Sequence, residues 1–181
     1  EPDLFSRTAY FADIKAYLFY RLFNEFKVDM SIASSTGLMN LKTCDWDDQA
    51  LRVAGITKDQ LPEIVDGTTQ ATGLVPEAQE KLGVPADTPF VYGAYDGALS
   101  NIGVGATKQN TVAITIGTSA AVRVGTDHPV IDPERRLFCY AINKGLWVVG
   151  GPLNNGGDVY EWAVKHLVDS SAVKNEQVDP Y

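Results

Sequence analysis

"NTVAITIGTSAAVRVG", residues 110–125, decides the fold class. Two runs rich in β-branched residues, 111–116 and 120–124, are hinged on Gly117, Thr118 and Ser119, which predicts two strands joined by a tight turn. The sequence before this stretch has a different period. From residue 4 to residue 23, apolar side chains recur at helical spacing (Phe11, Ile14, Tyr17, Leu18, Leu22), predicting one amphipathic helix with Asp3 or Ser6 as its cap. Residues 29–36 read as a Ser-rich turn or short helix. Residues 46–54 predict a helix capped by Asp45 and stopped by Gly55. Residues 58–84 read as a short helix, a loop and a helix ending at Gly83, 88–94 as a short buried strand, and 95–106 as a turn and helix. After the hinge, "RLFCYAI" (136–142) and "GLWVVGG" (145–151) continue as strands around a turn at Asn143, Lys144 and Gly145, and "PLNNGGDVYEWAVKHLV" (152–168) opens a last helix. Helices, a strand and a helix, then a β-meander and a helix, indicate an α/β chain. A domain boundary is expected at residues 106–109, dividing it into 1–106 and 107–181.

Composition narrows the functional classes. With 181 residues and 45% hydrophobic content the chain can bury a core. A net charge of −8 without any basic run disfavours a nucleic-acid partner. No apolar run approaches the ~20 residues of a membrane span, so no membrane partner is expected. Cys44 and Cys139 are far apart and lack metal-ligand spacing, which fits reduced thiols and a cytoplasmic location. The start lacks Met, a basic segment and a cleavage site, and "NEQVDPY" (175–181) ends abruptly, so part of a longer polypeptide is expected.

Three stretches could carry chemistry. In "VYGAYDGALSNIGVGA" (91–106), Asp96 before Gly97 suits an ordinary turn, and it is also a lone carboxylate presented at the end of a strand. The Gly117-Thr118-Ser119 turn offers consecutive N–H groups and two hydroxyls to a phosphate chain, although a plain hairpin would read the same way. "GGPLNNGGDVYEWA" (150–163) sets four glycines and two asparagines at a helix start, a site for an anion or simply a loop with Asp158 near the cap. No P-loop occurs. Asp66-Gly67-Thr68-Thr69 resembles an actin-type phosphate hairpin shortened by one residue and reads as a surface turn, while the acids of "DWDD" (45–48) read as helix capping. His128 and His166 suggest neither a catalytic triad nor a metal site, and no protein metal site is predicted. Tyr17, Phe19, Tyr20 and Phe23 are expected in the core, and Trp46, Trp147 and Trp162 as packing anchors.

In this order, "FADIKAYLFYRLFNE", "VDMSIASSTGLMNLKTCDWDDQALRVAGITKDQLPEIV", "GAYDGALSNIGVGA", "VAITIGTSAAVR" and "FCYAINKGLWVVGGPLNNGGDVYEWA" resemble the FGGY family of carbohydrate kinases over essentially the whole chain. Within it, the wording is most similar to the bacterial gluconate kinases. The resemblance implies the actin-like ATPase (ribonuclease H-like) α/β fold, with the back of the sugar-binding domain in 1–106 and the front of the nucleotide-binding domain in 107–181. It implies ATP-dependent phosphorylation of a sugar acid, gluconate to 6-phosphogluconate. The alternatives are a xylulose, ribulose or other polyol kinase, or an actin-like ATPase that phosphorylates no sugar.

Carried over by residue, Asp96 is the general base, with Asp96 and Gly97 at the substrate. Gly117, Thr118 and Ser119 hold ATP phosphates, and Asn155, Gly157 and Glu161 make the second nucleotide contact. Mg²⁺ is expected to arrive with ATP, and a homodimer is left open. The family's first phosphate hairpin and later adenosine segment are missing from these 181 residues, so the chain alone is expected to be inactive. A sugar acid also calls for a basic or N–H-rich site, and Lys15, Arg21 and Arg123 stand as undistinguished candidates.

Overall fold

The computed structural model describes residues 1–167. The chain begins with α1 (Pro2–Arg7) and α2 (Ile14–Phe23). The single helix expected over residues 4–23 is therefore two, because Asp13 restarts the chain: its carboxylate accepts from the backbone N–H groups of Lys15 and Ala16. A new N-cap outweighs the continuous apolar spacing. Next come β1 (Lys27–Asp29), α3 (Met30–Ser35), β2 (Met39–Asn40), β3 (Asp45–Trp46) and α4 (Asp48–Ala54). The cap of α4 is Asp47, two residues later than expected, because Asp45 and Trp46 are held in the β2–β3 ladder against Asn40 and Met39. Gly55 ends α4 in the left-handed region at φ 72°, as expected.

A 3₁₀ turn (Lys58–Gln60) leads to β4 (Glu63–Val65), which pairs parallel with β1, then to β5 (Gln70–Ala71), α5 (Pro76–Leu82) stopped by Gly83, β6 (Phe90–Val91) and α6 (Asp96–Gly103). The Asp66 turn is present: its carboxylate accepts from the N–H and hydroxyl of Thr68. The rest is a four-stranded antiparallel sheet, β7 (Val112–Ile116), β8 (Ala120–Thr126), β9 (Phe138–Asn143) and β10 (Leu146–Leu153), followed by α7 (Gly157–Leu167). The strand order is β7-β8-β10-β9. The expected meander is corrected: β10 returns between β8 and β9, so β8 and β9 are not neighbours.

One hydrophobic cluster joins Ala16, Val28, Met30, Ala33, Trp46 and Leu51 to Ala141 and Trp147 of the sheet. A second holds Phe19, Phe23, Ala71, Leu74 and Tyr92, with the Phe19 and Tyr92 rings stacked at 3.9 Å. A third joins Ala98 of α6 to Ile142 and Val148. Of the four aromatic side chains expected in the core on α2, Phe19 and Phe23 are buried, whereas Tyr17 and Tyr20 are exposed. Trp46 and Trp147 are anchors as expected, but Trp162 is exposed and stacks on His166. Cys44 and Cys139 are free thiols. Among the described residues no helix is long and apolar enough to cross a membrane.

Candidate functional site

The Gly117-Thr118-Ser119 turn closes the β7–β8 hairpin, with Ile116 opposite Ala120 and the Gly117 N–H donating to the Ser119 carbonyl at 2.8 Å. All three residues are exposed. The ladder then brings the second glycine-rich stretch to the same place. Leu153 at the end of β10 lies opposite Ala120, so residues 154–156 emerge beside the hairpin. The Gly157 N–H, first in α7, donates to the Gly117 carbonyl at 2.7 Å. This approach requires glycine: a Cβ at Gly156 would sit 2.8 Å from the Gly117 carbonyl oxygen, and one at Gly157 would sit 2.9 Å from it. Two stretches ambiguous in the sequence thus form one surface, a hairpin turn against the N-terminus of an eleven-residue helix. Its exposed N–H groups and hydroxyls suit an anion. Asp158 is turned inward, accepting from the Gly156 N–H at 2.7 Å. Asn155 is exposed beside the turn. Glu161 is not drawn into this group, since its carboxylate pairs with Lys165 one turn along α7.

Asp96 is the first residue of α6, exposed, with Oδ1 accepting from the Gly97 N–H at 2.6 Å. The turn reading is met by that bond. What positions this helix start lies far away in sequence. Tyr95, the N-cap, has no side-chain cap bond; instead its N–H donates to Ser31 Oγ at 2.6 Å. Ser31 in turn donates its hydroxyl to Asp29. Asp29 is fully buried, caps α3 through the N–H groups of Ser31 and Ile32, and forms an ion pair with Lys15. Lys15 also donates to the Tyr92 carbonyl at 3.1 Å, four residues before Asp96. A fully buried carboxylate thus meets a cation and three donors, which is what burial of a charge demands.

Between the start of α6 and the sheet lies a cleft of about 260 Å³ whose walls include Tyr95, Thr115, Ser119, Arg123, Phe138 and Tyr140. The Phe138 and Tyr140 rings stack at 4.7 Å, and Tyr95 tilts onto Tyr140 at 5.2 Å. Burial pushes the Tyr140 phenol above its ordinary range; Tyr95 and the Asp96 carboxylate add to this, while the Arg123 guanidinium opposes it. Arg123 packs against Gly97, where a Cβ would come 3.0 Å from Nη2. The cleft therefore joins the helix start that carries Asp96 to the hairpin that carries Ser119.

Of the residues singled out in the sequence, Gly117, Thr118, Ser119, Asn155 and Gly157 are brought together, whereas Asp96 and Gly97 adjoin the cleft only through their neighbours Tyr95 and Arg123, which line it. The sequence reading missed Asp29, Ser31 and Tyr95. The one available signal was the polar run "SIASS", two of whose three hydroxyls accept tertiary bonds: Ser31 from the Tyr95 N–H, and Ser34 from the Ala141 N–H at 3.1 Å. The three candidate cations separate cleanly. Lys15 is committed to Asp29, Arg21 lies exposed on Tyr17, and Arg123 lines the cleft. Among the described residues no cluster of three or more His, Cys, Asp or Glu side chains forms a cage for a metal. An Mg²⁺ bound chiefly by nucleotide phosphates and water, which needs only one or two carboxylates, remains compatible with this donor set.

The family description "FGGY family of carbohydrate kinases, N-terminal domain" matches residues 1–103. Gluconokinase of Bacillus subtilis is 46% identical over 182 aligned residues, covering 99% of this chain and 35% of that protein. Xylulose kinase of Escherichia coli is 29% identical over 167 residues, covering 91% of this chain and 34% of that protein. The crystal structure of gluconate kinase from Lactobacillus acidophilus superposes with a TM-score of 0.89 at 40% identity, covering 93% of this chain and 34% of that one. The chain spans about a third of the length of the relatives it matches. Its fold is the corresponding portion of the actin-like ATPase fold. The match across 1–103, together with a likeness to the gluconokinase that covers 99% of the chain, places the chain in the FGGY family of carbohydrate kinases.

Proposed function

We propose that the complete enzyme transfers the γ-phosphoryl group of ATP, accompanied by Mg²⁺, to a hydroxyl of a sugar acid, with gluconate giving 6-phosphogluconate, in the cytoplasm where ATP is available. The observation that carries this reading is the shared cleft: Ser119 and Tyr95, the residue next to Asp96, line one cavity from opposite sides. The gluconokinase relatives support the choice of acceptor. Phosphoryl transfer needs positioning and charge stabilisation more than covalent chemistry. Asp96 accepts the proton of the attacking hydroxyl, from a helix start held in place by the bond between the Tyr95 N–H and Ser31. The N–H groups and hydroxyls of Thr118 and Ser119, in the turn that the Gly117 N–H closes onto the Ser119 carbonyl, hold nucleotide phosphates, and Asn155, beside the Gly157 N–H that is bonded to this turn, extends that surface along α7. Glu161 is assigned to nucleotide contact only through the family resemblance. The divalent ion, when bound with the nucleotide, neutralises phosphate charge. We place the division between the two domains at residue 106, so that closure of one on the other brings the acceptor hydroxyl to the phosphate and excludes water.

The test is ADP release by the complete enzyme with Mg²⁺-ATP and gluconate, xylulose, ribulose or glycerol, beside Asp96→Asn. Stimulation by gluconate is expected, with kcat at least ~100-fold lower in the variant and nucleotide affinity nearly unchanged. Stimulation by xylulose instead moves the acceptor toward the xylulose kinase relative. Sugar-independent ADP release that survives Asp96→Asn removes the kinase reading.

A further inference from the structure

Three cations among the described residues are half-buried: Lys15, Lys27 and Arg123. Lys15 is paired with Asp29 and Lys27 with Glu25, the latter at 3.0 Å. Arg123 forms no ion pair with any carboxylate of the described residues. Its Nη1 donates to Thr115 Oγ1 at 3.1 Å, its Nε is buried without a hydrogen-bond partner, and its Nη2 lies against Gly97. Withdrawing a guanidinium from water without a counter-charge is costly, and five fixed donors are not satisfied by one hydroxyl. The surroundings make the need for an anion sharper: Tyr95, Phe138 and Tyr140 supply aromatic walls. Planar, forked donors in such a place match carboxylate and phosphate oxygens two at a time. Gly97 keeps the space open, because any larger residue at the second position of α6 would meet the guanidinium.

We propose that Arg123 is the oxyanion-binding residue of the cleft, gripping anionic oxygens brought by one of the two reactants. The anion comes either from the phosphoryl group in transfer or from the carboxylate of the acid acceptor. This deepens the kinase reading and rests on it for the identity of the reactants.

The complete enzyme, Arg123→Met and Arg123→Lys are compared, with thermal unfolding to show that each is folded. Steady-state kinetics use gluconate and a neutral acceptor, xylulose. A rise in KM of about tenfold or more confined to gluconate assigns the carboxylate, whereas a similar fall in kcat with both acceptors assigns the phosphoryl group. Partial recovery in Arg123→Lys is expected, because the charge is kept and the fork is lost. Calorimetric titration of nucleotide-free enzyme with gluconate and with inorganic pyrophosphate provides a readout independent of turnover. At least one should bind the unmodified enzyme, and about tenfold more weakly Arg123→Met. Neither ligand binding the unmodified enzyme, or equal binding by Arg123→Met, overturns the proposal, as do unchanged kcat and KM with both acceptors. Arg123-dependent anion binding by an enzyme that shows no sugar-stimulated ADP release would sink the kinase reading and leave this one standing.

Discussion

Asp29 shows how one side chain can serve two structures. It is fully buried, caps α3, pairs with Lys15 of α2 and holds the Ser31 hydroxyl that receives the Tyr95 N–H. Its neighbours in sequence suggest a local cap, but nothing local indicates that its second oxygen meets a lysine from another helix. Removing one partner of a buried ion pair strands the other charge, so Asp29→Ala should cost about 3–5 kcal/mol in denaturant unfolding of the complete enzyme. A loss below about 1 kcal/mol would mean that water already shares this pair. The same residue scale explains why Asp96 reads two ways: an Asp-Gly step is a turn signal anywhere, and here it is also the start of a helix.

At the scale of elements, the two glycine stops were legible because the deciding bond is short-range, whereas the equally local Asp13 cap that splits the first helix was hidden under continuous apolar spacing. Gly55 and Gly83 end α4 and α5 as read, since only a left-handed residue closes those turns. The start of α4 was misplaced because three acids compete for the cap and the β2–β3 ladder, not the helix, selects Asp47. The contact between the Gly117–Ser119 turn and α7 was not legible, because it depends on β10 running beside β8. It yields a prediction for the element pair. Gly156→Ala forces the start of α7 away from the Gly117 carbonyl, so in the complete enzyme the KM for ATP should rise several-fold while gluconate binding is retained. An unchanged KM for ATP would separate this contact from nucleotide binding.

Across the whole molecule, the sheet ends on β7, whose Val112, Ile114 and Ile116 point to one side and are 53%, 64% and 69% exposed. Val122, opposite Ile114, extends the same apolar face, and Trp162 of α7 is also exposed. An apolar edge strand is a template for association. The 181-residue chain prepared alone should therefore bind a hydrophobic dye and self-associate with rising concentration, both reduced by Ile114→Lys. A monomer that binds no dye across the accessible range would contradict this.

The sequence by itself determined the α/β class, the hairpin at 117–119, the helix stops at Gly55 and Gly83, and the order of motifs that marks the family. Each depends on neighbours a few residues apart or on side-chain period. The tertiary structure alone decided that Arg123 lies against Gly97, that Ser31 receives the Tyr95 N–H, and that β10 enters between β8 and β9. Those outcomes come from burial. Once the strands pair and the clusters close, each buried group meets whatever the packing brings within reach, however distant in the chain.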